Sequence, residues 1–475
     1  DGGRDYAIQV QLLGQPFLVT TNNDNGPGSL RQAVLDANAF AGASTINFAT
    51  SLSGQTITLT SGQLVLSKSV TIDASALTNG IAINGNGTSR VFEVTNATVV
   101  LNSLTITNGY LPNGSYPDDS GGGILNFGNL TLNACALQNN QANTGGGINN
   151  YAGTLTVNKC TFAHNSSFLQ GGGIDNYYLG TLAANNCTFA DNTSYYGGAI
   201  DNDIATANLT QCTIVSNHSD AVSASIDNYL STLNLRNCLI AGSTDTSGAG
   251  RDLFMETGSL TATNCLIGDG TSSAITNGVN GNLVGTSNSP INALLAPLGN
   301  YGGPTQTMPP LPGSPAIDAG AVTTLTTDQR GFPRVVGPKV DIGAVESGNA
   351  IPDFVPMVTT NSDTIYSLGA GPVSLREAVA FATNNSIVTF APALAGQTIT
   401  LTSGELWLDK NLLIDGSALA NGIQISGNHN SRIFYISNNA APVLNSLTLL
   451  NGNGGGDDGC ALYNAGNPIL NNVTC

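Results

Sequence analysis

Short runs in which apolar and polar residues alternate recur along most of this chain, as in Thr154-Leu-Thr-Val157 and Leu233-Asn-Leu235. Alternation with period two marks a strand with one face turned in and one turned out. Superimposed on it are three marks locked in phase. Gly121-Gly-Gly-Ile124 recurs as Gly145-Gly-Gly-Ile148, Gly171-Gly-Gly-Ile174 and Gly197-Gly-Ala-Ile200, and decays to Ser223-Ala-Ser-Ile226; the isoleucine steps are 24, 26, 26 and 26. A cysteine follows each mark, Cys135, Cys160, Cys187, Cys212 and Cys238, and Cys265 continues the series one period further on. An apolar residue precedes Asn by three positions in Leu137/Asn140, Phe162/Asn165, Phe189/Asn192 and Ile214/Asn217.

A repeat of about 26 residues without a long helical segment predicts an all-β solenoid: a right-handed parallel β-helix with about three short strands per coil. Equivalent strands of successive coils pair at about 4.8 Å. The glycines sit where the backbone turns sharply with positive φ. Within Ile174-Asp-Asn176, alternation points Ile174 inward, Asp175 outward and Asn176 inward. Stacking then gives a structural ladder of Asn150, Asn176, Asn202 and Asn228, because a buried amide must find partners.

A longer repeat overlies the short one. Ser29-Leu-Arg-Gln-Ala-Val34 matches Ser374-Leu-Arg-Glu-Ala-Val379, and Gly54-Gln-Thr-Ile-Thr-Leu-Thr-Ser-Gly62 matches Gly396-Gln-Thr-Ile-Thr-Leu-Thr-Ser-Gly404. The chain therefore divides into an N-terminal strand or linker (1–17), a first β-helix unit (18–285), its Pro-rich closing cap (286–348), a linker (349–356) and the opening third of a second unit (357–475). Pro is excluded from central strands, which is why the eight prolines between 297 and 338 end the coils. Each unit opens with an amphipathic helix, Leu30 to Ala39 and Leu375 to Ala382, expected to cover the open end of its core. With the second unit breaking off among its first coils, either further tandem units or head-to-tail self-association onto residues 5–20 of another copy is expected.

Composition narrows the function. Hydrophobic residues make up 41% of the 475, so a core can be buried, but charged residues make up only 9%, against about 25% in an ordinary globular protein. With 13 basic and 30 acidic residues the net charge is −17, which argues against nucleic acid or an anionic membrane surface as partner. No apolar run approaches the roughly 18 residues of a membrane span. The Asn/Thr/Gly-rich surface suits a secreted, extracellular or cell-surface protein.

The coils resemble the repeats of chlamydial polymorphic outer membrane proteins, through Gly197-Gly-Ala-Ile200 and the Phe162/Asn165 and Phe189/Asn192 pairs. The Ser-Leu-Arg openings resemble the bacterial surface-protein domain named for Cys-Ser-Leu-Arg-Glu-Ala, although Val373 stands where that domain has its Cys. The Pro-rich segment resembles the choice-of-anchor β-helix family through Leu298-Gly-Asn-Tyr-Gly-Gly-Pro304, Gly313-Ser-Pro-Ala-Ile-Asp-Ala-Gly320, Asp328-Gln-Arg-Gly-Phe-Pro-Arg334 and Asp341-Ile-Gly-Ala-Val-Glu346. These resemblances imply a bacterial surface or secreted β-helix and no catalytic residues.

Two columns carry candidate chemistry. Asp175, Asp201 and Asp227 stack one per coil, with Asp203 close in sequence. Carboxylates about 5 Å apart repel unless a cation or a proton intervenes, so the alternatives are a Ca²⁺ site and a solvated acidic stripe. No other cofactor is expected. The six cysteines stack inward. Their Cα spacing of about 4.8 Å falls inside the disulfide range, but parallel Cβ vectors favour a reduced ladder of small hydrophobes. Without a Cys-x-x-Cys or Cys/His pairing, zinc is not indicated. His164, His218 and His429 occupy different phases of the coil, and Arg236 and Arg251 are the only basic residues in the late coils. The sequence therefore reads as a non-catalytic extracellular structural protein, surface adhesin or subunit of a long β-helical fibre, with a glycan or a host or cell surface as partner. A polysaccharide-binding or polysaccharide-degrading β-helix is the alternative.

Overall fold

The computed structural model describes residues 14–475 apart from 112–113, 221–224, 247–250, 353, 367–370 and 457–458. Residues 1–13 of the expected N-terminal segment, and Ser223 and Ala224 of the decayed glycine mark, lie outside the described residues.

The chain is a parallel β-helix, and every named strand pair is parallel and set by the repeat. Ile148, Ile174, Ile200 and Ile226 are in register, and all are fully buried. Phe162 and Phe189 stack inside at 4.7 Å with their planes 5° apart. Two ten-stranded sheets and one of eight strands form the walls of the first unit. A further sheet of six strands, from Tyr110–Leu111 to Thr244–Asp245, corrects the expectation of three strands per coil. Its strands follow the apolar-x-x-Asn mark and lead into the glycines. At Gly171, φ is +58°, and a Cβ would meet the carbonyl oxygen of Ile174; only Gly permits a return this close.

Helix α1 (Leu30–Ala39) closes the N-terminal end of the first core with Leu30, Ala33, Val34 and Ala37 buried. The Ser29 hydroxyl accepts from the Gln32 amide and caps the helix. Arg31 explains two of the matched motifs at once. Its guanidinium donates to Asp24 at 2.9 Å and to the carbonyls of Gly62 and Gln63. Asp24 in turn accepts from the amides of Thr60 and Ser61. The second unit repeats the device: Arg376 of helix α2 (Leu375–Phe381) binds Asp363 and the carbonyls of Gly404 and Glu405, while Asp363 accepts from Thr402 and Ser403. The strand Gln15–Val19 pairs with Ser44–Phe48, so the first unit begins before residue 18, where the boundary was expected.

The Pro-rich segment is not a plug on the last coil. It folds back along the flank of the coils. Gln329 reaches Thr161 and Thr188, Thr305 reaches Lys159, Ala344 reaches Thr213, and Ala321 reaches Asn237. Ala190, Val215, Leu239 and Leu266 of the coils pack there against Ala293, Met308, Ala316 and Ile342. The outward residues of this wall are small or apolar, so they need a cover, and the segment supplies it. Its charged residues form a buried clamp: Arg330 pairs with Asp328 at 2.8 Å, and Glu346 accepts from the amides of Val336 and Asp341.

The second unit has its own core, from Val358 to Leu449, and sheets of five, three and three strands. Ile351, expected in an open linker, is buried with Ala296, Tyr301 and Phe381. The Tyr301 and Phe381 rings lie 5.0 Å apart. The units are therefore joined through a small apolar core.

Candidate functional site

The sheet of eight strands positions every residue of interest. Along five of its strands, those beginning at Ile124, Ile148, Ile174, Ile200 and Ile226, Ile and Asn point into the coil, while the residue between them and the one after them point out. Inside, Asn126, Asn150, Asn176, Asn202 and Asn228 form a continuous amide ladder, each Nδ2 donating to the next Oδ1 at 2.6–2.7 Å. The four asparagines expected there are all rungs. A second amide ladder, Asn140, Asn165, Asn192 and Asn217, runs at the next corner with Nδ2 to Oδ1 distances of 2.9–3.0 Å. Sequence spacing had marked these four residues without giving them a role.

The first outward column contains Asn149, Asp175, Asp201 and Asp227 in register. Neither expectation for it holds. The carboxylates are not a solvated stripe: Asp175, Asp201 and Asp227 are 0, 2 and 4% exposed. The segment carrying the six-stranded sheet returns over them, as the contact between Asn149 and Thr144 at 2.9 Å records. Nor does the column fit Ca²⁺, which needs six to eight converging oxygens. Among the described residues no three His, Cys, Asp or Glu side chains are placed to hold a metal. Moreover, Asn149 turns an N–H toward Asp175, donating to Oδ2 at 2.7 Å. What the column fits is protons. Asp175 is pushed up to about 7 by burial and by the carboxylate of Asp203. Asp201 is raised by burial and by Asp175 and Asp227. One oxygen of Asp175 and one of Asp201 have no hydrogen-bond partner among the described residues. A protonated carboxyl is the cheaper occupant of such a place.

The second outward column is Tyr151, Tyr177, Asp203 and Tyr229, which sequence reasoning passed over. Its signal was legible, since an aromatic ring follows the Asn rung in Asn126-Phe127, Asn150-Tyr151, Asn176-Tyr177 and Asn228-Tyr229. Tyr151 and Tyr177 lie 5.8 Å apart, Tyr178 stacks on Tyr151 at 5.7 Å, and Tyr116 leans onto both Tyr151 and Tyr177. Gln170 donates to Asp203 at 3.3 Å beside them. Burial raises Asp203 further, with Gln170 opposing and Glu256 assisting. Tyr116 and Tyr178 remain 42 and 48% exposed. The second unit carries a comparable column at a neighbouring phase, Trp407, Tyr435 and Tyr463, stacked at 4.1 and 4.9 Å.

The six cysteines of the repeat are free and buried, while Cys460 and Cys475 are exposed. Each repeat thiol sits just after a bend residue with positive φ, such as Lys159 or Asn186. The Sγ of Cys187 donates to the Val157 carbonyl of the coil before it at 3.4 Å, and Cys160 and Cys212 do the same to Leu132 and Ala184. His218 pairs with Asp220 at 3.2 Å at the surface.

The class defined by this architecture is the parallel β-helix. No protein family model matches the chain, and no curated protein does. Among solved structures the chain is similar to a mutant of the PL6 family alginate lyase AlyGC, at 12% identity over 97% of this chain and 72% of that one, with a TM-score of 0.19. Similarity that low transfers no property of the lyase to this chain.

Proposed function

We propose that this chain is a non-catalytic structural protein of the bacterial cell surface or extracellular space, a stiff rod built from β-helical units and displaying an adhesive flank. The observation that carries the reading is the joint between units. A free linker lets domains move independently. Here Tyr301 is fully buried against Phe381, Ile351 and Ala296, and a Cβ at Gly313 would strike the Trp407 ring. Phe381 spends its apolar surface on the joint rather than on the core of its own unit. Units coupled in this way suit a load-bearing fibre. The low charge, the Asn/Thr/Gly-rich surface and the resemblance to bacterial surface repeats support the location.

Small-angle scattering of the full chain tests the reading. The expected result is an elongated particle with one fixed arrangement of the two units. Phe381→Asp is expected to broaden the distance distribution while each unit stays folded. A wild-type chain whose units already move freely sinks the rod. Protease shaving of intact source cells tests the location, and failure to release the chain from the surface or recover it from the medium counts against it.

A further inference from the structure

We propose that the tyrosine ridge of the first unit binds a polysaccharide of uncharged or amine-bearing hexopyranoses. This inference goes beyond the structural reading and does not depend on it.

Four observations point the same way. First, the rings are accessible yet already ordered, Tyr116 and Tyr178 exposed and Tyr151 and Tyr177 half-buried. Tyr116, Tyr151, Tyr177 and Tyr178 hold one another tilted, edge-on or stacked at 5.7–6.1 Å. A tyrosine with few torsions to freeze is a low-entropy contact surface, and its face takes the C–H side of a pyranose while its hydroxyl stays wet. Second, acceptors stand in the same ridge. Asp203 occupies the coil position between Tyr177 and Tyr229, and Gln170 lies against it. Sugar hydroxyls need such partners, and without them aromatic stacking would not orient a ring. Third, the ridge repeats with the coil, at about 4.8 Å per step. A repeating ligand can use equivalent positions in successive coils, whereas a small solute would use only one.

The fourth observation is charge, which selects among glycans. The ridge itself contains Asp203, with Glu256 near enough to raise it. The chain as a whole carries −17. A polyuronate or sulfated glycan would bring like charge onto this surface, which suppresses the wrong partner. A neutral glycan meets no such penalty, and an amino sugar meets an attraction. A protein partner would have no comparable reason to match a carboxylate set within a column of tyrosines.

Affinity electrophoresis and calorimetry on the full chain decide the matter, using soluble neutral β-glucan, chito-oligosaccharides and oligoalginate as probes. Binding to β-glucan or chito-oligosaccharides with none to oligoalginate is the expected outcome. Tyr178→Ala is expected to weaken it about tenfold, the scale of one lost aromatic contact, and Tyr116→Ala is a second variant on a separate segment. Far-ultraviolet circular dichroism confirms that each variant is folded. No binding to either uncharged or amino glycan, preference for oligoalginate, or full affinity in both folded tyrosine variants each overturns the proposal. Scattering from the same samples reads the rod independently, so the two readings fail separately.

Discussion

Asn176 donates its side-chain amide to Oδ1 of Asn202 at 2.7 Å and accepts the amide of Asn150 at the same distance. Asn176 is fully buried, so neither half of this exchange can be replaced by water. Its second N–H bonds the carbonyl of Thr206, in the coil beyond, at 3.1 Å. One side chain thus ties three coils together.

Asn176→Ala is therefore expected to orphan a donor on Asn150 and an acceptor on Asn202, besides leaving a void. Each stranded buried group costs about 1–3 kcal/mol. Asn228 accepts from Asn202 but donates only to backbone, to Ser231 at 3.2 Å. Asn228→Ala should strand one ladder partner rather than two and cost roughly half as much. Urea midpoints of the two variants make the comparison. Equal losses, or none, would show that the ladder is not transmitted from rung to rung.

The coils were legible because stacking reuses one register, so a residue's phase in the repeat fixes its neighbours. That is why the four Asn rungs, the six cysteines and the inward isoleucines could be placed from spacing alone. The helices were legible from Ser29-Leu-Arg31 and Ser374-Leu-Arg376, though not the reason for their arginines, which depends on Asp24 and Asp363 reaching a turn some 36 to 40 residues further on. Alternation failed at Asp175. It reports which way a side chain leaves its own strand and is blind to a segment that returns over the outside. The same blindness hid where the Pro-rich segment lies. Proline shows that a strand must end, and does not say which wall the chain then covers. The tyrosine ridge went unread for a different reason: outward rings have no inward partner to betray them, and only their coincidence with the Asn rungs marks them.

Buried Asp175 gives the stability of the coils a pH dependence of unusual sign. Its carboxyl titrates near 3.8 when exposed and is pushed up to about 7 in the fold by burial and by Asp203. Between those values the folded chain holds more protons than the unfolded one, so stability is greatest below about pH 4 and is lost as pH rises through 7. Asp252, raised to about 6 by burial, adds in the same direction. Melting should therefore fall between pH 5 and 8. Asp175→Asn should flatten that fall by roughly 1–4 kcal/mol, and chelator should leave both melts unchanged. A melt that rises toward pH 8, or one that drops on chelation, would return the column to ionised carboxylates around a cation.

Cysteine accessibility checks the interior directly. Six thiols stand in the stack, fully buried, and Cys460 and Cys475 are exposed. Burial raises the thiols of Cys187 and Cys212, which keeps them protonated and unreactive. A thiol reagent added to the native chain without reductant should label the two exposed cysteines quickly. All eight should react once denaturant opens the coils. Fewer than eight in denaturant would mean that neighbouring rungs had closed into disulfides despite parallel Cβ vectors. More than two in the native state would mean that the stack admits solvent. In the folded chain five of the repeat thiols, Cys135 to Cys238, donate to a carbonyl of the coil before them, as Cys187 does to Val157 at 3.4 Å. Cys187→Val, similar in size but without a donor, should therefore lower the melt more than its change in apolar surface alone requires, because that bend carbonyl would be left without the thiol.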